Sequence, residues 1–115
     1  MSKYLAVVDD DVSMREAVAE LLHACGFASR TFASASDFLA SLTSCMPDCL
    51  IADLEMPEMS GLDLQRELLR RGVRIRTIVI TGRDSDSYRE QCRDLGAAAY
   101  LLKPVGRDAL IAAIS

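Results

Sequence analysis

Five polar residues stand directly after, or at the end of, short apolar segments. Asp9 and Asp10 follow the run that ends at Val8, and Asp53 closes Cys49-Leu50-Ile51-Ala52. Thr81 closes Thr77-Ile78-Val79-Ile80, and Lys103 follows Ala98 to Leu102. Three carboxylates brought together repel and raise one another's pKa unless a cation joins them. A small, partly hydrated, all-oxygen site suits Mg²⁺, with Mn²⁺ as the alternative, and does not suit zinc. A lysine adds a point charge for a phosphate, and a threonine adds a hydroxyl donor. Together they would stabilise a phosphoryl group in transfer through position and charge, with Asp53 as the nucleophile.

That chemistry requires elements that bring distant residues to one edge. The run from Lys3 to Val8 is apolar almost without interruption, as expected of a strand buried on both faces of a parallel sheet. Ser13 and Glu16 have the spacing of a capping box, and Met14, Ala17, Val18, Leu21, Leu22 and Cys25 mark the inward face of a helix that Gly26 ends. His23 falls off that face and is read as exposed. Phe27 to Phe32 is a second strand, and Ser34 or Ser36 caps a helix carrying Phe38, Leu39 and Leu42. After the strand ending at Asp53, a loop closes near Ser60-Gly61, and a helix carries Leu62, Leu64, Leu68 and Leu69 to Gly72. Thr77 to Thr81 is the strand richest in β-branched residues. The fourth helix, capped by Asp84 or Ser85, has a thin stripe of Tyr88, Cys92 and Leu95, the mark of a loosely held surface element. Ala98 to Leu102 is the fifth strand, and a last helix starts near Gly106 with Leu110, Ile111 and Ile114 inward.

Strand and helix thus alternate, with connections long enough for right-handed crossovers. The pattern predicts one doubly wound, five-stranded parallel sheet with helices on both faces. In such a sheet the carboxyl ends of the strands share an edge, where ligands bind. At 115 residues, 50% of them apolar and 26% charged, the chain has room for one domain with a disulfide-free core. A net charge of -4 argues against nucleic-acid binding by this segment alone. No run reaches membrane-spanning length and no signal peptide is visible, so no membrane contact and a cytoplasmic location are expected. Cys45 and Cys49 alone make a poor zinc site, while Cys25, Cys49 and Cys92 read as buried reduced thiols. Arg70, Arg71, Arg74 and Arg76 read as a solvated edge at a helix end.

Each polar residue also has a plain alternative. An Asp-Asp pair can cap a helix, Asp53 can open a turn, Thr81 can be a mere β-former, and Lys103 a solvated side chain. Their joint placement is what favours chemistry. Val8-Asp9-Asp10, Asp53 with Met56-Pro57 and Gly61, Ile80-Thr81-Gly82, and Tyr100 before Lys103-Pro104 resemble the receiver domain of bacterial two-component response regulators. The likeness spans almost the whole chain, residues 1–115, and is greatest to the FixJ/NarL-type branch.

The resemblance implies a flavodoxin-like strand order, 2-1-3-4-5. It implies that Asp53 is the phosphoacceptor, taking its phosphoryl group from a sensor histidine kinase. Asp9, Asp10 and Asp53, with the backbone carbonyl of Glu55, would hold Mg²⁺. Thr81 and Lys103 would bind the phosphoryl group, and Tyr100 would be the aromatic that turns inward when Thr81 moves. The Lys103–Pro104 bond is expected to be cis. The surface of the fourth helix, fifth strand and fifth helix would then repack, with homodimerisation as one outcome. Glu55 and Arg83 occupy positions that vary within the family and tune the lifetime of the phosphoryl group.

The chain stops within its last helix, so either a single-domain regulator or, in preference, a receiver excised from a longer chain is expected, with DNA a partner only through an output domain outside this segment. The protein would turn over no outside substrate and so would not be an enzyme in that sense. Two other classes compete: a pseudo-receiver that binds partners without being phosphorylated, and a metal-dependent phosphatase with an aspartyl nucleophile. Such phosphatases carry a second Asp two residues after the first, where this chain has Glu55.

Overall fold

The computed structural model describes residues 4–115. Its elements run β1 (Tyr4–Val8), α1 (Val12–Ala24), β2 (Ala28–Phe32), α2 (Ala35–Ser41), β3 (Cys49–Asp53), α3 (Gly61–Arg70), β4 (Arg76–Thr81), α4 (Asp86–Asp94), β5 (Ala99–Leu102) and α5 (Arg107–Ile114). All strand pairs are parallel and the order is β2-β1-β3-β4-β5. The expected sheet and strand order are therefore observed. Lys3, expected to open β1, lies outside the described residues.

Alternation along the strands divides the core. Leu5, Val7, Cys49, Ile51, Ile78 and Ile80 pack with Val18 and Leu22 of α1 and Leu110 and Ile114 of α5. Ala6, Val8, Leu50 and Ala52 face Phe38 of α2 and Leu64 and Leu68 of α3. Val79 belongs to a third group with Leu54, Leu62 and Cys92, against which Tyr100 packs. β1, β3 and β4 lie inside the sheet and are almost wholly buried, which is why their sequences do not alternate in polarity.

The start of α1 differs from expectation. Asp11, not Ser13, is the N-cap, and its carboxylate accepts from the N–H groups of Ser13 and Met14. A carboxylate standing two residues ahead of Ser13 takes the cap first and draws Ser13 into the first turn. Ala17 is exposed rather than inward. Leu69 of α3 is 56% exposed, because Leu64 and Leu68 already fill the sheet side of that helix. The remaining caps follow the sequence: Ser34, Ser60 and Ser85 each accept a backbone N–H in the first turn. Cys49 and Cys92 are buried, Cys25 is half-buried and Cys45 is exposed.

Candidate functional site

Register determines how the strand ends meet. Val8 pairs with Ala52, so Asp9 and Asp53 each stand one step past a matched pair. Asp53 pairs with Ile80, and Thr81 pairs with Leu102. Thr81 therefore lies one step beyond the level of Asp53, and Lys103 two steps. Asp9 and Asp53 continue the alternation that faces α1 and α5, whereas Thr81 continues that of Val79, which faces α4. The edge is thus staggered, with Asp9 and Asp53 toward one face of the sheet and Thr81 toward the other.

The nucleophile candidate is held tightly. Asp53 is 4% exposed and Asp9 is fully buried. The Lys103 ammonium lies 3.4 Å from a carboxylate oxygen of each. The Glu55 N–H donates to Asp53 Oδ1 at 3.3 Å, and the Asp11 N–H donates to Asp9 Oδ1 at 3.0 Å. Burial, reinforced by the neighbouring Asp9 charge, pushes the Asp53 carboxyl up to about 6 against the opposing pull of Lys103. Burial also works against the Lys103 ammonium, but the two carboxylates outweigh it and the group stays raised. The Lys103–Pro104 peptide is cis.

The same residues suit a hard cation. Asp9, Asp10 and Asp53 each offer an oxygen, and these lie within 4.8 Å of one another. Asp9 Oδ2 is buried and accepts no hydrogen bond, its partner being the Lys103 ammonium. Asp10 is exposed, which leaves the group open to water on one side. A carboxylate trio with a spare buried lone pair and solvent access fits Mg²⁺, which keeps several waters.

Thr81 and Tyr100 are placed differently. The Thr81 hydroxyl is buried and does not bond Asp53; its acceptors are Glu55 Oε1 at 3.0 Å and the Arg83 carbonyl at 3.3 Å. The Arg83 N–H returns a bond to Thr81 Oγ1 at 3.1 Å. The Tyr100 hydroxyl donates to the same Arg83 carbonyl at 3.1 Å, and the Arg89 guanidinium lies over the Tyr100 ring at 4.7 Å.

Three contacts were not foreseen from the sequence. Gly61 packs so closely on the end of β3 that a Cβ there would stand 2.8 Å from the Asp53 carbonyl oxygen and 2.9 Å from Leu54 Cα. Its N–H also donates to the Leu54 carbonyl at 2.9 Å, sealing the loop behind the nucleophile. Arg15 donates to the Asp9 carbonyl at 2.8 Å and fixes that main chain from α1. The Glu55 side chain, expected from the resemblance at a position that tunes the lifetime of the phosphoryl group, is the acceptor for Thr81. A Gly closing a Pro-marked loop was a signal for the first; the other two depend on side-chain geometry.

A family model described as the response regulator receiver domain matches residues 5–115. The chain is similar to the transcriptional regulatory protein FixJ of Azorhizobium caulinodans, at 39% identity over 108 residues, covering 94% of this chain and 51% of that protein. It is 37% identical over 108 residues to the response regulator protein TodT of Pseudomonas putida, covering 94% and 48%. The chain thus spans about half the length of the curated relatives it matches. Among solved structures it resembles the crystal structure of FixJ-N, with a TM-score of 0.91, 33% identity, and coverage of 99% of this chain and 91% of that one. A response regulator receiver protein from Burkholderia phymatum has a TM-score of 0.84 at 36% identity, with 98% and 95% covered.

Proposed function

The chain belongs to the response regulator receiver domain family, and on that premise we propose that it is a phosphoacceptor switch driven by a sensor histidine kinase. The observation that carries this reading is the buried Asp53 carboxylate beside Asp9, with Lys103 at 3.4 Å from both. A carboxylate oxygen of Asp53 attacks the phosphorus of a kinase phosphohistidine. The new P–O bond forms as the P–N bond breaks, and the electron pair leaves with the imidazole nitrogen. Lys103 compensates charge on the transferred group, and Thr81 can donate its hydroxyl to a phosphoryl oxygen.

Asp9, Asp10, Asp53 and the Glu55 carbonyl would hold Mg²⁺, which when bound offsets the clustered negative charge and favours ionised Asp53. Asp53 is consumed and later restored by hydrolysis, so the domain turns over no outside substrate. Movement of Thr81 would free Tyr100 to turn inward and repack the α4–β5–α5 surface, which would signal to an output domain or pair two copies. Likeness to proteins named as transcriptional regulators supports a transcriptional output. DNA would be met through that output domain and not through this acidic segment, whose net charge is -4. No helix among the described residues is long and apolar enough to cross a membrane; we place the protein in the cytoplasm with its kinase's phosphorylated domain.

Incubation with Mg²⁺ and acetyl phosphate tests the reading. One phosphoryl group should be gained as an acid-stable, base-labile adduct, and Asp53→Asn should abolish the gain. Absence of any adduct would favour a pseudo-receiver. Repeated hydrolysis of an outside phosphoester would favour an aspartyl phosphatase.

A further inference from the structure

A hydroxyl has a single proton to donate, and in Thr81 that proton has two acceptors within reach. Glu55 Oε1 is the nearer, at 3.0 Å, and it is a carboxylate, while the Arg83 carbonyl lies at 3.3 Å. A charged acceptor at the shorter distance holds the proton more strongly. Thr81 is fully buried, so it cannot exchange a lost partner for water. The Glu55 arm is itself held, because its Oε2 pairs with Arg83 Nε at 3.3 Å. With the Arg83 N–H donating to Thr81 Oγ1 at 3.1 Å, a closed ring joins the β3–α3 loop to the β4–α4 loop.

We propose that the Glu55 side chain is a positioning residue for the switch, holding the Thr81 hydroxyl until a phosphoryl group on Asp53 draws it away. This rests on the phosphoacceptor reading above and assigns a role within it. A phosphoryl group two residues before Glu55 brings negative charge and new acceptor oxygens. The charge repels the Glu55 carboxylate, and the oxygens compete for the proton that the carboxylate held. The Arg83 carbonyl also accepts from the Tyr100 hydroxyl at 3.1 Å. Opening the ring therefore alters the same residue to which Tyr100 is bound, so the tether reaches the reader through one shared carbonyl. While the tether holds, the Thr81 position that can meet a phosphoryl oxygen is thinly populated. An intrinsic affinity for a phosphoryl mimic is then reduced by that fraction.

The test compares wild type, Glu55→Ala, Glu55→Gln and Arg83→Ala by amide and aromatic NMR, with and without Mg²⁺ and beryllofluoride. Glu55 is 41% exposed at its side chain and sits in a loop, so unchanged denaturation midpoints are the check on folding. Without the mimic, Glu55→Ala should move the Arg83 amide and Tyr100 ring signals part-way toward their mimic-bound positions. Its apparent affinity for beryllofluoride should tighten by about five- to tenfold. Glu55→Gln keeps a neutral acceptor and should shift both signals less than half as far. Arg83→Ala loosens the arm but keeps the main-chain carbonyl and should fall between the Gln variant and the Ala variant. Unmoved signals in Glu55→Ala, an unchanged or weaker affinity, or a Gln variant that moves as far as the Ala variant would each overturn the proposal. A wild type that binds no mimic would instead overturn the phosphoacceptor reading. In that case the tether is still decided without the mimic: the Arg83 amide and Tyr100 ring signals should differ between wild type and Glu55→Ala, and identical signals would overturn it.

Discussion

Helices α3 and α4 are neighbours on the sheet, yet they are held in different ways. α3 buries Gly61, Leu62, Leu64, Gln65 and Leu68, and its start is fixed by a reciprocal bond pair between Ser60 and Asp63. α4 buries Cys92 alone. Its other ties are polar: Gln65 to the Cys92 carbonyl, Arg66 to Gln91, and Arg89 to both Asp84 and the Tyr100 ring. Apolar packing has one best arrangement and resists displacement, whereas exposed polar bonds can be exchanged for water or for one another at small cost. Helix α3 backs the main chain of Asp53 through Gly61, and α4 flanks Tyr100 through Arg89.

The largest expected effect comes from disturbing the packed side. Gly61→Ala would drive a methyl group into the Asp53 carbonyl oxygen and Leu54 Cα at 2.8 and 2.9 Å, and both are backbone atoms that cannot swing aside. A loss of about 3 kcal/mol is expected, at the upper end for overpacking, read as a lower denaturant midpoint with an unchanged slope. Phosphoryl uptake from acetyl phosphate should slow as well, since the shifted atoms include the main chain of the nucleophile. The matched cut on α4 is Tyr88→Ala, at a side chain 36% exposed, and it should stay within about 0.5 kcal/mol. Equal losses in the two variants would end the contrast.

Asp53, whose main chain α3 backs, also carries an electrostatic cost. Burial, then Asp9, push the Asp53 carboxyl up to about 6 in the folded protein, against about 3.9 in an unfolded chain. Between those values the folded protein binds more protons than the unfolded one, so stability falls as pH rises from about 4 to 6 and stays reduced above that window. Asp53→Asn removes the charge and keeps the shape. In the presence of a chelator it should stabilise the protein by about 3 kcal/mol at pH 7, and the gain should shrink to nearly nothing by pH 4. Added Mg²⁺ should close the gap by stabilising wild type more than the variant. Thermal midpoints across pH decide the matter. A variant less stable than wild type at pH 7 without metal would show that Asp53 is not the strained member of the cluster.

Much of this was legible before any coordinates. The strands, the alternation, the placement of Asp9, Asp53, Thr81 and Lys103 at strand ends and the weak stripe of α4 all follow from local pattern, because buried parallel strands write continuous apolar runs that end where polarity returns. The α1 cap was misplaced because Asp11 and Ser13 are both good caps, and pattern alone does not rank neighbours two residues apart. Helical periodicity assigns Ala17 and Leu69 to a broad inward face, while the true buried strip is narrower than that face. The Glu55–Thr81 bond was hidden for a different reason: two charged residues at loop positions say nothing of which rotamer meets which hydroxyl. Gln65 was hidden in the same way, as a polar residue in a helix whose burial depends on α4 lying over it.

Gln65 also supplies the finest probe of the contrast between the helices. It is 3% exposed, its Nε2 donates to the Cys92 carbonyl at 3.2 Å, and its Oε1 is buried with no hydrogen bond. Leucine has a similar volume and removes both the tether and the unsatisfied oxygen, so the two effects oppose each other in global stability. The Cys92 carbonyl keeps its other donor, the Ala97 N–H at 2.9 Å, and is not orphaned by the change. Gln65→Leu should therefore alter the denaturation midpoint by less than about 1 kcal/mol. Amide exchange should nevertheless quicken several-fold in α4 and stay unchanged in α3, because the bond joins both helices but α3 keeps its buried leucines while α4 buries Cys92 alone. If α4 exchanges at its wild-type rate, the apolar contacts of Cys92 hold that helix by themselves, and the division between a packed and a polar helix is weaker than the hydrogen bonds imply.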